Sequence, residues 1–383
     1  MRRAETEPTA SVRLRLTNSG LLWLVVALAV GAIAWYKSIN LVLFVVYAMI
    51  VLLVINGLVS WISVRRARVT RIGTPPVFAG ERVETGVTVS NVSSRVATVT
   101  VEDRVGEQRT NFLAYRVPGR TTVACMASRL FPQRGRFVAE VTLSSAFPFG
   151  FLTCERPSDS GEIVVLPKIG VAEPEGLLRW VVRQSGGEKR ARRVLRRLTS
   201  DYAEVRGVRP YRPGDSIRNI HWRTSARRRE LMVREYDTAP SPELLLLVEP
   251  WLPTNPAQTD LARLESALSL AATVAITWRR AFDSTVTLLV LGAASDNPTV
   301  TTAGSEEAVR DSLAVFADIT GSASIELPSP AVLARYLACG ARLVVSSRPN
   351  SPTAPTLTRS SGKPFVAISP TDRLLWYQPP AEK

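Results

Sequence analysis

Carboxylates, a lone imidazole and many guanidinium groups crowd one stretch of this chain, residues 202–237, which reads YAEVRGVRPYRPGDSIRNIHWRTSARRRELMVREYD. Asp215, Glu230 and Glu235 could serve general acid–base chemistry, which needs two carboxyls at a set separation with divergent pKa values. His221 is the chain's only histidine, so any site built on two imidazoles is excluded. No serine or cysteine is spaced so as to mark it as a nucleophile for that histidine. Cys125, Cys154 and Cys339 are far apart, odd in number and without C-x-x-C spacing. Reduced thiols are expected, with neither a disulfide framework nor a zinc site. There is no glycine-rich phosphate loop, so no nucleotide cofactor is expected.

Local physics gives this stretch a shape. Pro213-Gly214 suits the central pair of a tight turn. Asp215 then stands where a helix N-cap belongs. SIRNIHWRTSARRR is predicted to be helical with Ile217, Ile220, His221 and Thr224 on one face, and ELMVREY a strand with Leu231 and Val233 pointing one way. Two readings of the motif stay open. In one it is a docking surface of alternating arginines and carboxylates. In the other it is architecture, with Trp222 filling the core and Arg209, Arg218 and Arg227 pairing internally with Asp215, Glu230 or Glu235.

The net charge of +15 calls for an acidic partner: anionic lipid, nucleic acid or an acidic protein face. Its densest source is Arg190, Arg192, Arg193, Arg196 and Arg197, just before the motif. A helix there would carry arginine around most of its circumference and bury no clean apolar face. The segment reads as a solvated linker or as a patch for lipid headgroups or an acidic protein. Nucleic acid is disfavoured, since no aromatic residues are interleaved for stacking.

What carries this stretch begins with an anchor. Residues 21–36 and 41–64 are apolar and free of charge, joined by KSIN. Two such spans joined so tightly predict an antiparallel transmembrane helical hairpin in a lipid bilayer. Trp23, Trp35, Tyr36 and Trp61 lie near the span ends, as interfacial aromatics do. Arg2, Arg3, Arg13 and Arg15 precede the hairpin, Arg65, Arg66, Arg68 and Arg71 follow it, and Lys37 alone lies in the turn. The positive-inside rule puts both termini and the body in the cytoplasm of a cell (plasma) membrane protein.

After the anchor, valine and threonine alternate with polar residues, with Val83, Val87 and Val89 in one run and Val96, Val99 and Val101 in the next. Short strands at these intervals predict a β-sandwich-like domain. Phe147, Phe149 and Phe151 around Pro148 and Gly150 form either an exposed aromatic loop or a plug closing the sandwich. From residue 243 onward, buried strands such as ELLLLVEP alternate with amphipathic helices, which predicts an open, Rossmann-type α/β sheet.

The motif resembles the signature of the bacterial family called domain of unknown function 58. The matching residues are Arg209, Tyr211, Pro213, Gly214 and Asp215; Arg218, Ile220 and Trp222; Ser225, Ala226 and Arg227; and Leu231, Val233 and Arg234. Family members are similar in layout too: membrane hairpin, β-rich segment with a PFG element, signature, and a von Willebrand factor A-like domain. The resemblance implies a metal site at the end of that domain's first strand, of the form Asp-x-Ser-x-Ser. Here Glu249, Trp251 and Pro253 stand there, so a degenerate site without metal is expected. It also implies association with a MoxR-type AAA+ ATPase and a transglutaminase-like membrane protein.

The sequence therefore predicts a multi-domain chain. A basic N-terminus (1–18) leads into the transmembrane hairpin (19–64), the β-sandwich-like domain (65–168) and a basic linker (169–201). The signature (202–237) and a von Willebrand factor A-like α/β domain (238–383) complete it. The expected function is that of a non-catalytic, cytoplasm-facing scaffold at the membrane, working without a cofactor. A carboxylate-dependent hydrolase is the first alternative. Binding of nucleic acid or anionic lipid through the linker is the second.

Overall fold

The computed structural model describes residues 11–184, 205–213, 215–236, 243–292, 299–337 and 339–381. The chain divides into two compact units, Met1–Val165 and Leu166–Lys383.

The first unit opens with strand β1 (Arg13–Leu16), followed by helices α1 (Asn18–Tyr36) and α2 (Asn40–Arg66). Both helices are long and apolar enough to cross a membrane. Thr17 caps α1 by accepting the Gly20 amide. The buried residues of α1 are Gly20, Ala27 and Ala34, a stripe of small side chains that admits a close helix neighbour. A Cβ on Gly31 would touch Val46 of α2.

α2 runs directly into β2 (Ala67–Arg71), and eight strands follow: β3 (Val77–Phe78), β4 (Arg82–Asn91), β5 (Ala97–Val105), β6 (Gln108–Val117), β7 (Thr122–Leu130), β8 (Gly135–Ser145) and β9 (Leu152–Leu166), with β10 (Val171–Ala172) beginning the second unit. One antiparallel sheet has the order β1-β9-β8-β5-β6, with β3 also on β9; the other is β2-β4-β7. The two sheets share a core in which Val69, Val87 and Val89 meet Val99, Val101, Leu143 and Cys154. Alternation marked these strands, but Val96 lies exposed in the turn before β5.

Residues 13–16 were expected to be a plain basic tail. They instead pair with β9, Arg13 opposite Glu155 through Leu16 opposite Leu152. All four side chains are exposed, so the strand is held by its ladder rather than by a buried face.

Between the sheets lies a buried ion cluster. Asp103, fully buried, binds both Arg71 and Arg129, the latter at 2.7 Å. Burial pulls the Arg129 guanidinium below its ordinary value, against the neighbouring Asp103 charge. The thiols of Cys125 and Cys154 are free, and burial pushes both up.

The segment Phe147–Phe151 does not plug the sheets. It lies against the two helices: Phe151 stacks on Trp23 with ring centroids 4.6 Å apart. The Phe147–Pro148 peptide is cis.

In the second unit, α3 (Pro174–Gln184) occupies part of the stretch expected to be linker. Leu177, Leu178 and Val181 recur at helical spacing and are buried, and Trp180 meets Trp376 at 5.9 Å. The arginines at 190, 192, 193, 196 and 197 lie outside the described residues.

Strands β11 (Val205–Pro210) and β12 (Met232–Tyr236) form an antiparallel pair around α4 (Trp222–Arg228). Next come β13 (Leu244–Glu249), α5 (Gln258–Phe282), β14 (Val286–Val290), β15 (Thr299–Ala303), α6 (Glu306–Leu313), α7 (Pro330–Tyr336), β16 (Ala341–Ser346), α8 (Thr353–Ser361), β17 (Val366–Ile368) and β18 (Tyr377–Gln378). The sheet order is β15-β14-β13-β16-β17, parallel except for β15 at one edge. β13 is buried at every position, which explains its unbroken leucine run. β18 returns to pair with β10.

Candidate functional site

The motif between β11 and β12 is built around one ion pair. Arg209, at the end of β11, donates from Nη1 and Nη2 to the two carboxylate oxygens of Asp215, both at 2.7 Å. The Arg212 amide donates to the same carboxylate at 2.8 Å. The Arg209 hydrogen bonds, helped by the Arg212 amide, hold the Asp215 carboxyl down to about 2. Such fork-to-fork pairing fixes geometry as well as charge. Asp215 therefore closes the turn containing Pro213. It does not cap a helix, as its position before Ser216 predicted.

The expected helix over residues 216–229 is interrupted. Ile217–Asn219 form a single 3₁₀ turn, Ile220 is extended and bridges to Val233, and the α-helix starts only at Trp222. His221 caps it: its Nδ1 accepts the Thr224 amide at 3.2 Å. The imidazole thus has a structural task. Ser225 is buried and ties helix to strand, its hydroxyl accepting the Met232 amide at 2.8 Å and donating to the His221 carbonyl at 3.1 Å. The Tyr211 amide donates to the Leu231 carbonyl and the His221 amide to the Met232 carbonyl.

Trp222 does not fill the core; 63% of it is exposed. The α-helix has half the length its pattern implied, beginning only at this residue. Ile217 and Leu231 are exposed as well, while Ile220, Met232 and Val233 are buried. Leu231 and Val233 thus do not share an environment. Pro213, Ala226, Arg227 and Arg234 are exposed, as are Arg212, Arg223, Arg228, Arg229 and Glu230. Gly214 and the side chains of Arg218 and Glu235 lie outside the described residues.

The outcome is a small hydrogen-bonded scaffold that shows solvent an indole, two aliphatic side chains and several guanidinium groups. Trp and Arg are the residue types that most often dominate protein interfaces. Asp215, held in its ion pair, is a carboxylate that stays charged at neutral pH, which suits it poorly to carrying protons.

A second cluster lies at the C-terminal end of β13, where ligands bind in open α/β sheets. Glu249 is buried, and Ser351 donates its hydroxyl to the Glu249 carboxylate. Ser347 donates to the Trp251 carbonyl at 2.6 Å, and the Arg348 guanidinium lies 5.1 Å over the Trp251 ring. The first-strand pattern gave no sign of these serines, because they come from the segment after β16. Among the described residues, no group of three or more His, Cys, Asp or Glu side chains could hold a metal ion.

Comparison with known proteins fits the motif. A family model described as "Protein of unknown function DUF58" matches residues 207–319, so a domain of that family runs from the signature into the α/β sheet. No curated protein matches the chain. Among solved structures, the CARDB domain of a Pyrococcus furiosus protein is 13% identical, covering 26% of this chain and 94% of that one with a TM-score of 0.22. A DNA-bound alkylpurine DNA glycosylase, AlkC of Pseudomonas fluorescens, is 14% identical, covering 26% of this chain and 30% of that one with a TM-score of 0.21. Overlaps this loose carry no conclusion about function.

Proposed function

We propose that this protein is a membrane-anchored docking platform: α1 and α2 cross the bilayer as a hairpin, and the body presents the β11–β12 motif to an acidic protein partner in the cytoplasm. The single observation that carries this is the exposure of Trp222 among arginines on a scaffold locked by Arg209–Asp215 and Ser225. Evolving such a rigid support for an outward indole makes sense where something binds it, because preorganised hot spots lose little entropy on association.

The hairpin reading rests on helix length and composition, on basic residues flanking both ends, and on the β1–β9 ladder. That ladder joins chain before α1 to chain after α2, so both flanks belong on one membrane side. The positive-inside rule makes that side cytoplasmic. The packed sheets of the first unit suit a β-sandwich. The doubly wound strand order of the second suits a von Willebrand factor A-like domain, with Glu249 held by a serine hydroxyl where a metal motif would stand.

The family resemblance implies a MoxR-type AAA+ ATPase as partner, with a transglutaminase-like membrane protein as a further associate. The test is binding of that ATPase, from the same genome, to the full-length protein in lipid nanodiscs. Trp222→Ala and Arg227→Glu are expected to weaken binding. Equal affinity for wild type and both variants would remove the motif from the interface.

A further inference from the structure

The loop between β8 and β9 is bound to the two helices in an unusual way. Much of its backbone is bonded by side chains of α2 and by Thr17, the cap of α1. Asn56, buried in α2, donates to the Ala146 carbonyl at 3.0 Å and accepts the Phe151 and Leu152 amides at 2.9 and 2.8 Å. Ser60 donates to the Phe147 carbonyl at 2.8 Å. Thr17 donates its hydroxyl to the Gly150 carbonyl at 2.6 Å. Two glycines admit the loop: a Cβ on Gly20 would fall 1.9 Å from the Phe151 oxygen, and one on Gly57 would fall 3.0 Å from Leu152. The apolar side chains go the other way. Phe147 and Phe149 are 40% and 48% exposed.

This inverts the logic of a loop in water, where side chains hide and backbone is solvated. It suits irregular backbone at membrane depth, where N–H and C=O groups need protein partners while apolar groups meet lipid.

The depth agrees. α1 has 19 residues, about 28 Å at the helical rise, close to the ~30 Å of hydrocarbon in a bilayer. With Gly31 facing Val46, the start of α1 is level with about Val59 of α2. Ser60 then stands at the hydrocarbon boundary and Asn56 about 4–5 Å inside it. Phe151 stacks on Trp23, in the second turn of α1, and Phe149 follows at 5.7 Å from Phe151. Just beyond, Arg65 lies over the Trp61 ring at 5.0 Å, an arrangement suited to headgroup level.

We infer that the Phe147–Phe149 loop is a third membrane-embedded element, inserted from the cytoplasmic side beside the hairpin, with phospholipid acyl chains as its occupant. Asn56, polar in the middle of an apolar helix, is there to hold it. The inference rests on the hairpin reading, so its test must separate the two.

Cys125 is the only partly exposed thiol among the three cysteines, and Cys154 and Cys339 are buried. Full-length Cys125→Ala protein serves as the unlabelled background. Nitroxide is attached after Phe149→Cys, after Val54→Cys on the exposed face of α2, and after Val138→Cys on an exposed strand position. Each variant is placed in vesicles of phosphatidylcholine with a minority of phosphatidylglycerol. Relaxation by oxygen and by a water-soluble nickel chelate is then compared. The expected result is that positions 149 and 54 are reached by oxygen and shielded from nickel, while 138 is reached by nickel. Nickel access at 149 equal to that at 138, with 54 still shielded, overturns the inserted loop and leaves the hairpin standing. Nickel access at 54 as well overturns both. Phe147→Cys repeats the measurement should Phe149→Cys fail to reconstitute.

Discussion

Arg209 and Asp215 clasp each other through two parallel hydrogen bonds, and that clasp sets the shape of the whole β11–β12 motif. Asp215→Asn keeps the shape of the side chain but removes its charge. The expected outcome is faster hydrogen exchange at the Arg212 amide, which loses its charged acceptor. Unchanged exchange there would mean that the turn holds itself.

The same pair gives the motif a pH dependence of definite sign. Asp215 lies at about 2 against an ordinary 3.8, and Glu306, bound by Arg280 and Arg310, at about 2 against 4.5. Both values are depressed in the folded state. Their stabilisation is therefore complete above about pH 4–5 and is lost as pH falls toward 2. Thermal melts between pH 5 and 2 are expected to decline more steeply for wild type than for Asp215→Asn combined with Glu306→Gln.

Ser225 and Trp222 separate architecture from docking. Ser225→Ala strands the buried Met232 amide and is expected to cost about 1–3 kcal/mol of stability. Trp222→Ala removes an exposed side chain and should shift stability by no more than roughly 0.5 kcal/mol. Chemical denaturation measures both. A large loss from Trp222→Ala would return the indole to a structural role.

The Asp103 cluster is the most sensitive point of the first unit. Asp103→Ala leaves two guanidinium groups buried without their carboxylate, at a cost of about 3–5 kcal/mol. Calorimetric melting of the full-length protein in detergent reads that loss. A variant as stable as wild type would mean that water reaches the site.

Much of this molecule could be read from pattern. Charge-free runs marked α1 and α2, valine alternation marked β4 and β5, and an unbroken leucine run marked β13, because strands buried on one face or on both, and long apolar helices, leave distinct patterns. Other elements left no such trace. β1 is four exposed residues that pair with a strand far along the chain. α3 hides its three buried residues in a stretch that sequence treated as linker. In the motif, the residues were found but their arrangement was not. The Arg209–Asp215 clasp was one of several pairings open to the sequence. The helix break at His221 depends on Ile220 joining Val233, a tertiary contact that outweighs local helical spacing.

Docking through the β11–β12 motif depends on Trp222 and the motif's exposed arginines. Its most direct test is the dissociation constant between the nanodisc-held protein and the MoxR-type ATPase of the same genome, measured with and without Trp222→Ala. A central hot-spot indole predicts a loss of at least about 2 kcal/mol, roughly thirtyfold in affinity, with the fold intact. Undiminished affinity in a folded Trp222→Ala protein would contradict docking through this motif.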